Sequence, residues 1–434
     1  MKNNLIPRYL ILGAGVSGRA AEALVRSEGA ECFVSAKTEG GMVTENFVAK
    51  SGRYENILVV SPGIPPGDPE IVRAKESGMR VVGEMQFGVS RFKGRVIAIT
   101  GSKGKSSLVK FIADALNGAD GGKAFALPCG NYGLAMCEVA AAKPQPEVAV
   151  LECSSFQLEY GPMEPGPDAA LILNIQPDHL DRHGSMENYR AAKMNIFGNM
   201  REGALRLMPE DLENCGNTES RNCGNAESRD CGILWRGSYF DNRILRPAAV
   251  GAVRILRHFG LEDARIAEAF RAFAPLPHRM RRVAEHGGVA FVDDSKATSL
   301  AAMEAGVEMC PKPVFLIAGG RLKEKMKNNG KILLENGAGK VYIIGECARE
   351  MAEAWRGELP AAVCDVMDKA VSAAYADALG AGGGTVLLSP GTASFDQFKN
   401  YEERGDAFAA AAMKAINFTI SRGDAKNQTT ENTQ

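Results

Sequence analysis

No stretch of this chain stays apolar for the roughly 20 residues that a membrane-spanning helix requires, so nothing in it reads as a bilayer anchor. An excess of charge of one sign is missing too: 51 basic and 52 acidic side chains leave a net charge of −1. That balance offers no electrostatic footprint for nucleic acid or for an anionic membrane surface. No export leader is legible, because the first apolar run, Tyr9 to Leu12, is cut short by glycines and reads as a strand. The ten cysteines are scattered and none forms a C-x-x-C pair, which points to reduced thiols in a cytoplasm. What remains is a globular composition, 45% hydrophobic and 24% charged over 434 residues, enough for two to three domains.

The most informative stretch is Val96 to Ser107. The β-branched run Val96, Ile97, Ala98, Ile99 predicts a buried strand, and Leu108, Phe111, Ile112, Ala115 and Leu116 predict one face of a helix. Between them stands Gly101-Ser102-Lys103-Gly104-Lys105-Ser106-Ser107. Glycines let backbone N–H groups approach phosphate oxygens, and a helix N-terminus adds its positive end. Lys105 supplies a mobile cation for terminal phosphates, and the Ser106 hydroxyl is placed to ligate Mg²⁺. Only two residues separate the first glycine from Gly-Lys, fewer than in the usual phosphate loop. An ATP site is expected here.

A second glycine turn, Gly13-Ala14-Gly15-Val16-Ser17-Gly18, follows the first strand and opens a helix running to about Ser27. This is the dinucleotide-type G-x-G-x-x-G, but the next strand, Glu31 to Val34, ends in Ser35-Ala36-Lys37 with no carboxylate for a ribose. A nicotinamide dehydrogenase is therefore the lesser alternative, and another phosphate-bearing ligand is preferred. Ser61-Pro62-Gly63 forms a further strand-end loop on the same sheet edge.

Two more strands end in chemistry. Val148 to Leu151 runs into Glu152-Cys153-Ser154, and Ala170 to Asn174 runs into Ile175-Gln176-Pro177-Asp178-His179. Polar groups at neighbouring strand ends converge on the phosphate loop, which makes Glu152 and His179 candidate Mg²⁺ ligands. A helical stretch, Ser185 to Phe197, carries Tyr189, Arg190 and Lys193. Residues 214–232 repeat in octads that space Cys215, Cys223 and Cys231 by eight, and read as a polar, repeat-expanded loop rather than a thiolate metal site. Beyond about Pro277, strands and helices alternate again, and Ser421 to Gln434 reads as disordered.

Taken together, GSKGKSS, LECSSFQLE, NIQPDHLDRHGS, YRAAK, LPHRM, DDSKATS and SPGTASFDQFKNYEERG resemble the ordered motif series of the Mur ligases, from Leu10 to about Phe408. The last three favour the branch that adds D-glutamate to UDP-N-acetylmuramoyl-L-alanine. The resemblance implies a three-domain α/β protein: a Rossmann-like domain over residues 1–94, a central P-loop ATPase-type domain over 95–276, and a Rossmann-like C-terminal domain over 277–420. It implies ATP-dependent amide formation through an acyl phosphate in peptidoglycan precursor synthesis, by a cytoplasmic monomer acting on small molecules.

The resemblance also assigns residues. Lys105, His179 and Lys193 would be catalytic; Gly101, Ser102, Lys103, Gly104, Lys105, Ser106 and Ser107, with Arg279, Asp294 and Lys296, would bind ATP. Two Mg²⁺ ions would lie on Ser106, Glu152, His179 and Lys193, the last as a CO₂-derived carbamate. Gly13, Gly15, Val16, Ser17, Gly18, Ser35, Ser61, Pro62, Gly63, Asn131 and Ser154 would contact the UDP substrate, and Thr298, Lys323, Ser394 and Tyr401 the D-glutamate. Three departures stand out. The family's H-N-x-x-N stretch, in which one asparagine reads adenine, is replaced by Asn242 to Ala252, the central domain between Lys193 and His278 is shorter than usual and carries the octad repeat, and the segment after Lys323 differs. The alternatives are a related ligase with another amino-acid acceptor, or a weakened homologue that binds UDP-muramoyl nucleotides.

Overall fold

The computed structural model describes residues 6–36, 47, 54–118, 125–213, 231–322, 326 and 328–431. It is an α/β structure built on three sheets. The chain divides into two compact units, Met1–Phe273 and Ala274–Gln434.

The first unit holds two of the sheets. One has the order β2-β1-β3-β4, with β1 Ile6–Leu12, β2 Glu31–Ser35, β3 Tyr54–Val60 and β4 Arg80–Gly83 all parallel. The expected first strand begins earlier than Tyr9, and the helix Val16–Ser27 ends where expected. The other sheet has the order β6-β7-β5-β8-β9, with β5 Arg95–Thr100, β6 Ala126–Gly130, β7 Val148–Glu152, β8 Ala169–Ile172 and β9 Leu205–Leu207, again all parallel. Its central strands read as unbroken apolar runs because helices cover both faces.

The helix Lys105–Gly118 crosses from β5 to β6 and buries Leu108, Phe111, Ile112, Ala115 and Leu116, the face expected from spacing. Each large side chain of that set contributes about 1.5–3 kcal/mol by leaving water. Phe111 stacks on Phe270 with ring centroids 4.3 Å apart and meets Phe273 edge-on, so the phosphate-loop helix is clamped by the end of its own unit. Between the two sheets the helix Glu84–Val89 is buried along its whole length. Glu84 accepts from the Cys137 backbone N–H at 2.8 Å, and the Gln86 amide donates to the Gln157 and Gly161 carbonyls at 2.9 and 2.8 Å.

The second unit is one sheet, β10-β11-β15-β12-β13-β14, with β10 Arg281–His286, β11 Val289–Asp293, β12 Val314–Gly319, β13 Ala338–Ile344, β14 Ala361–Asp365 and β15 Gly384–Leu388. Only β10 is antiparallel to its neighbour. The final helix, Tyr401–Glu431, buries Phe408, Ala411, Ala412, Ala415 and Ile416. It continues past Ser421, where disorder is expected from composition: a helix nucleated on a packed stretch propagates at one backbone bond per residue. Residues 214–230 of the octad repeat lie outside the described residues, and Cys231–Leu234 is helical. The described cysteines Cys32, Cys129, Cys137, Cys153, Cys310, Cys347 and Cys364 are all free thiols. Among the described residues no helix is long and apolar enough to cross a membrane.

Candidate functional site

In the second sheet β5 lies between β7 and β8, so three strand ends meet at one edge. Ligands of open α/β sheets bind at such edges. The phosphate loop leaves β5 here, and Gly104 turns it with φ +83°, a left-handed conformation that a side chain would strain. The loop is held from β8. Asn174 accepts from the backbone N–H groups of Ser102 and Lys103, both at 2.9 Å, and donates to the Lys103 carbonyl at 3.0 Å. The Ser102 hydroxyl donates to the Gln176 carbonyl at 2.9 Å and lies 2.9 Å from the Tyr189 hydroxyl. Lys105 folds its ammonium back onto the Gly101 and Ser102 carbonyls at 2.8 and 3.1 Å, where an anion's oxygens could replace them.

Lys193 also points here. Its side chain is 1% exposed, and Nζ donates to the Gly101 carbonyl at 2.9 Å and to the Thr100 hydroxyl at 3.3 Å. Burial, and next the charge of Lys105, pull its amine down to about 7. Glu152, at the tip of β7, is 1% exposed; Oε1 accepts from the Asn131 amide at 2.8 Å. Its Oε2 is buried with no hydrogen-bond partner among the described residues. A buried carboxylate oxygen without a donor is a place for a cation.

His179 stands at the start of the helix Leu180–His183, beyond β8. Its backbone is left-handed at φ 51°, its side chain is half exposed, and its ring packs on Phe156 at 4.8 Å and lies 3.6 Å from Asp178. No group of three or more His, Cys, Asp or Glu side chains is gathered as a metal cage among the described residues. The Ser154 hydroxyl accepts from the Gln157 N–H at 3.1 Å and Gln157 reaches back, a capping box on the helix Ser155–Leu158. Asn174, Gln176 and Thr100 are not among the residues expected from sequence, although Asn174 and Gln176 stand in the same strand-end run as His179.

The first sheet presents its own edge. Gly13 donates to the Ser35 carbonyl at 2.8 Å, and the Ser61 hydroxyl reaches the Gly13 carbonyl at 3.4 Å, so the three expected loops adjoin. Gly18 in the helix Val16–Ser27 must be glycine, because a Cβ would collide with the Gly13 carbonyl. Gly15 caps that helix, and Val16 and Ser17 form its first turn. Pro62 and Gly63 are held through their carbonyls by Arg182, a contact no local pattern reveals.

In the second unit the expected residues gather at the ends of β11 and β15. Asp294 is buried, accepts from the Ser389 hydroxyl at 2.9 Å and the Met280 N–H at 3.3 Å, and burial pushes its carboxyl up to about 7. Lys296 donates to the Tyr401 hydroxyl at 2.9 Å, joining a residue expected at the nucleotide to one expected at the amino acid. The Nε of Arg279 is buried with no partner among the described residues. Gly391 donates to the Ala297 carbonyl at 2.8 Å, which brings the loop carrying buried Ser394 beside the turn that carries Thr298. Arg404, fully buried, braces both through the Ser295 hydroxyl and carbonyl and the Thr392 carbonyl at 2.8–3.2 Å. Lys323 lies outside the described residues.

Comparison with known proteins fits this arrangement. Residues 99–226 match the Mur ligase middle domain. The chain is 33% identical to the UDP-N-acetylmuramoylalanine–D-glutamate ligase of Acidobacterium capsulatum, covering 92% of this chain and 95% of that protein. It is 34% identical to the protein of that name from Rubrobacter xylanophilus, over 93% of this chain and 98% of the relative. Among solved structures, the MurF ligase of Thermotoga maritima in complex with ADP shares the fold, with a TM-score of 0.54 and 16% identity over 86% of this chain and 97% of that one.

Proposed function

The chain belongs to the Mur ligases, among the UDP-N-acetylmuramoylalanine–D-glutamate ligases, and we propose that it joins D-glutamate to UDP-N-acetylmuramoyl-L-alanine at the expense of ATP. The observation that carries the reading is the convergence of Lys105, Lys193 and Glu152 on one sheet edge, with Lys193 against the loop's own Gly101. A carboxylate is a poor electrophile because its leaving group would be oxide. Transfer of the γ-phosphoryl onto it makes phosphate the leaving group, and the incoming amine then displaces it. Carboxylate and triphosphate repel each other, so the protein's part is to bring cations to both. Lys105 and the loop N–H groups of residues 101–107 would neutralise the terminal phosphates.

The residues present fit magnesium and a lysine carbamate. The donorless Oε2 of Glu152 suits a cation, as does the hydroxyl of Ser106, and His179, on the run that follows β8, is the further ligand assigned here. Lys193, with an amine lowered to about 7, is substantially neutral near physiological pH, the form that adds CO₂. A carbamate there would supply an anionic oxygen ligand for magnesium where an ammonium would repel it. We assign Arg279, Asp294 and Lys296 to the nucleotide, the loops at Gly13–Gly18, Ser35 and Ser61–Gly63 with Asn131 and Ser154 to the UDP substrate, and Thr298, Lys323, Ser394 and Tyr401 to D-glutamate. The three-domain division at residues 94 and 276, the monomeric state and the cytoplasmic location belong to the same proposal.

Phosphate release by the purified protein tests it, with ATP, Mg²⁺, UDP-N-acetylmuramoyl-L-alanine and D-glutamate each omitted in turn. Release is expected only with all four, and L-glutamate is expected to be inactive. Release with a different amino acid would transfer the chain to another acceptor specificity. Tight binding of the UDP substrate without release would make it a weakened homologue.

A further inference from the structure

The loop Ser61-Pro62-Gly63-Ile64 has little to hold it in place by itself. Within it only the Ile64 N–H closes a turn on the Ser61 carbonyl, at 3.1 Å. Its middle is a glycine, whose backbone costs most to order. The structure supplies the missing constraint from the neighbouring sheet. Arg182 places Nη2 3.2 Å from both the Pro62 and Ile64 carbonyls and Nη1 3.2 Å from the Gly63 carbonyl. The Tyr160 hydroxyl donates to the Ile64 carbonyl at 2.5 Å.

Arg182 is itself locked before it meets the loop. Its Nε and Nη2 reach Glu159 Oε2 at 3.1 and 2.7 Å, and its guanidinium carbon lies 4.0 Å from the centre of the Phe156 ring. The other oxygen of Glu159 is 3.1 Å from His183 Nδ1, and His183 Nε2 is 3.0 Å from the Ser155 hydroxyl. The Arg182 and Glu159 side chains are only 14% and 13% exposed. Ion pairs withdrawn from water to that degree add little net stability, because desolvation offsets the attraction. What this pair does supply is direction: a rigid fork aimed at three consecutive carbonyls.

We infer that Arg182 is a positioning residue for the UDP-bearing substrate, acting through the peptide planes of Pro62 to Ile64 and not by touching the substrate. In a trans peptide the carbonyl and the following N–H point to opposite sides. A Pro62 carbonyl drawn to Arg182 therefore sends the Gly63 N–H away from it, to the side where an anionic ligand can accept it. The guanidinium, its charge balanced by Glu159 and its donors taken by carbonyls, is not itself a phosphate ligand. The same side chain lies on Phe156, against which His179 also packs, so the loop of one sheet is tied to a candidate magnesium ligand of the other.

The inference rests on the assignment of Ser61–Gly63 to the UDP substrate, and one series of measurements separates the two. Binding of UDP-N-acetylmuramoyl-L-alanine to the full chain is measured by calorimetry without ATP, alongside KM for each substrate, for the unaltered chain, Arg182→Ala, Arg182→Lys and Tyr160→Phe. The expected result is a Kd raised about a hundredfold in Arg182→Ala and about fivefold in Tyr160→Phe. KM for ATP and D-glutamate is expected to stay put, and Arg182→Lys is not expected to rescue, since an ammonium cannot span three carbonyls and a carboxylate. An unchanged Kd in a folded Arg182→Ala protein overturns the inference, as does an equal rise in all three KM values. If Arg182→Ala does not fold, Tyr160→Phe decides: an unchanged Kd there overturns it. Failure of the unaltered chain to bind the substrate overturns the site assignment itself, and the role of Arg182 with it.

Discussion

Lys193 sets its Nζ 2.9 Å from the carbonyl of Gly101, the first residue of the phosphate loop and 92 positions earlier in the chain. A helix lysine of this kind would ordinarily snorkel to water. Here it is buried between the loop and the Tyr189 ring, whose centre lies 4.7 Å from Nζ. The fold tolerates the burial by lowering the proton affinity of the amine to about 7.

That shift has a sign. Between about pH 7 and 10.5 the unfolded chain keeps a proton on Lys193 that the folded chain has released, so raising the pH through this window stabilises the fold through this group. Lys193→Met, which removes the titration, is expected to melt at least about 2 °C above the unaltered chain at pH 7. The gap narrows toward pH 10. Thermal melts across that range check it, and a gap that widens with pH would contradict the burial assignment.

The carbamate assignment carries its own test. Lys193→Ala is expected to lose at least about a hundredfold in turnover and to regain part of it with a short added carboxylic acid. Full activity without rescue would remove Lys193 from the site.

The proposed role of Lys105 concerns the nucleotide alone. Lys105→Ala is expected to reduce kcat about a thousandfold while calorimetry finds UDP-substrate binding intact, because Gly13 to Gly18 and Ser61 to Gly63 lie on the other sheet of the unit. Loss of both together would argue against separate sites.

Glu152→Gln keeps the Asn131 contact within reach and removes the charge from a buried, donorless oxygen. The Mg²⁺ concentration giving half-maximal activity is expected to rise about 10- to 100-fold, with ADP affinity in the absence of metal unchanged. An unmoved Mg²⁺ midpoint would make Glu152 a structural partner of Asn131.

Asn242 stands where the family's adenine-reading asparagine would be sought, yet its side chain is committed locally. It accepts from the Leu245 N–H and donates to the Tyr239 carbonyl, both at 2.9 Å, ahead of the helix Arg246–His258. Asn242→Ala is expected to cost about 1 kcal/mol in denaturant unfolding and to leave KM for ATP where it was.

What could be read early was local. The phosphate loop, the G-x-G-x-x-G turn and the buried face of the helix Lys105–Gly118 each lie within a dozen or so residues, where side-chain period and glycine conformation act on neighbouring backbone. The strand-end placement of Glu152 followed from the same patterns, whereas Asn131 was reached only through the family resemblance.

The sequence by itself determined that strands would end in glycine turns and polar tips, and which residue types would stand there. Only the tertiary structure decided what those residues touch. The order β7-β5-β8 sets Glu152, Gly101 and Asn174 side by side, and hydrogen bonds across 71 or 72 positions fix the loop. The Ser154 hydroxyl turned to its own helix, His179 settled on Phe156, and Arg182 reached a loop about 120 residues away. Burial and long-range hydrogen bonding are properties of neighbours in space, and those neighbours exist only once the sheets have assembled.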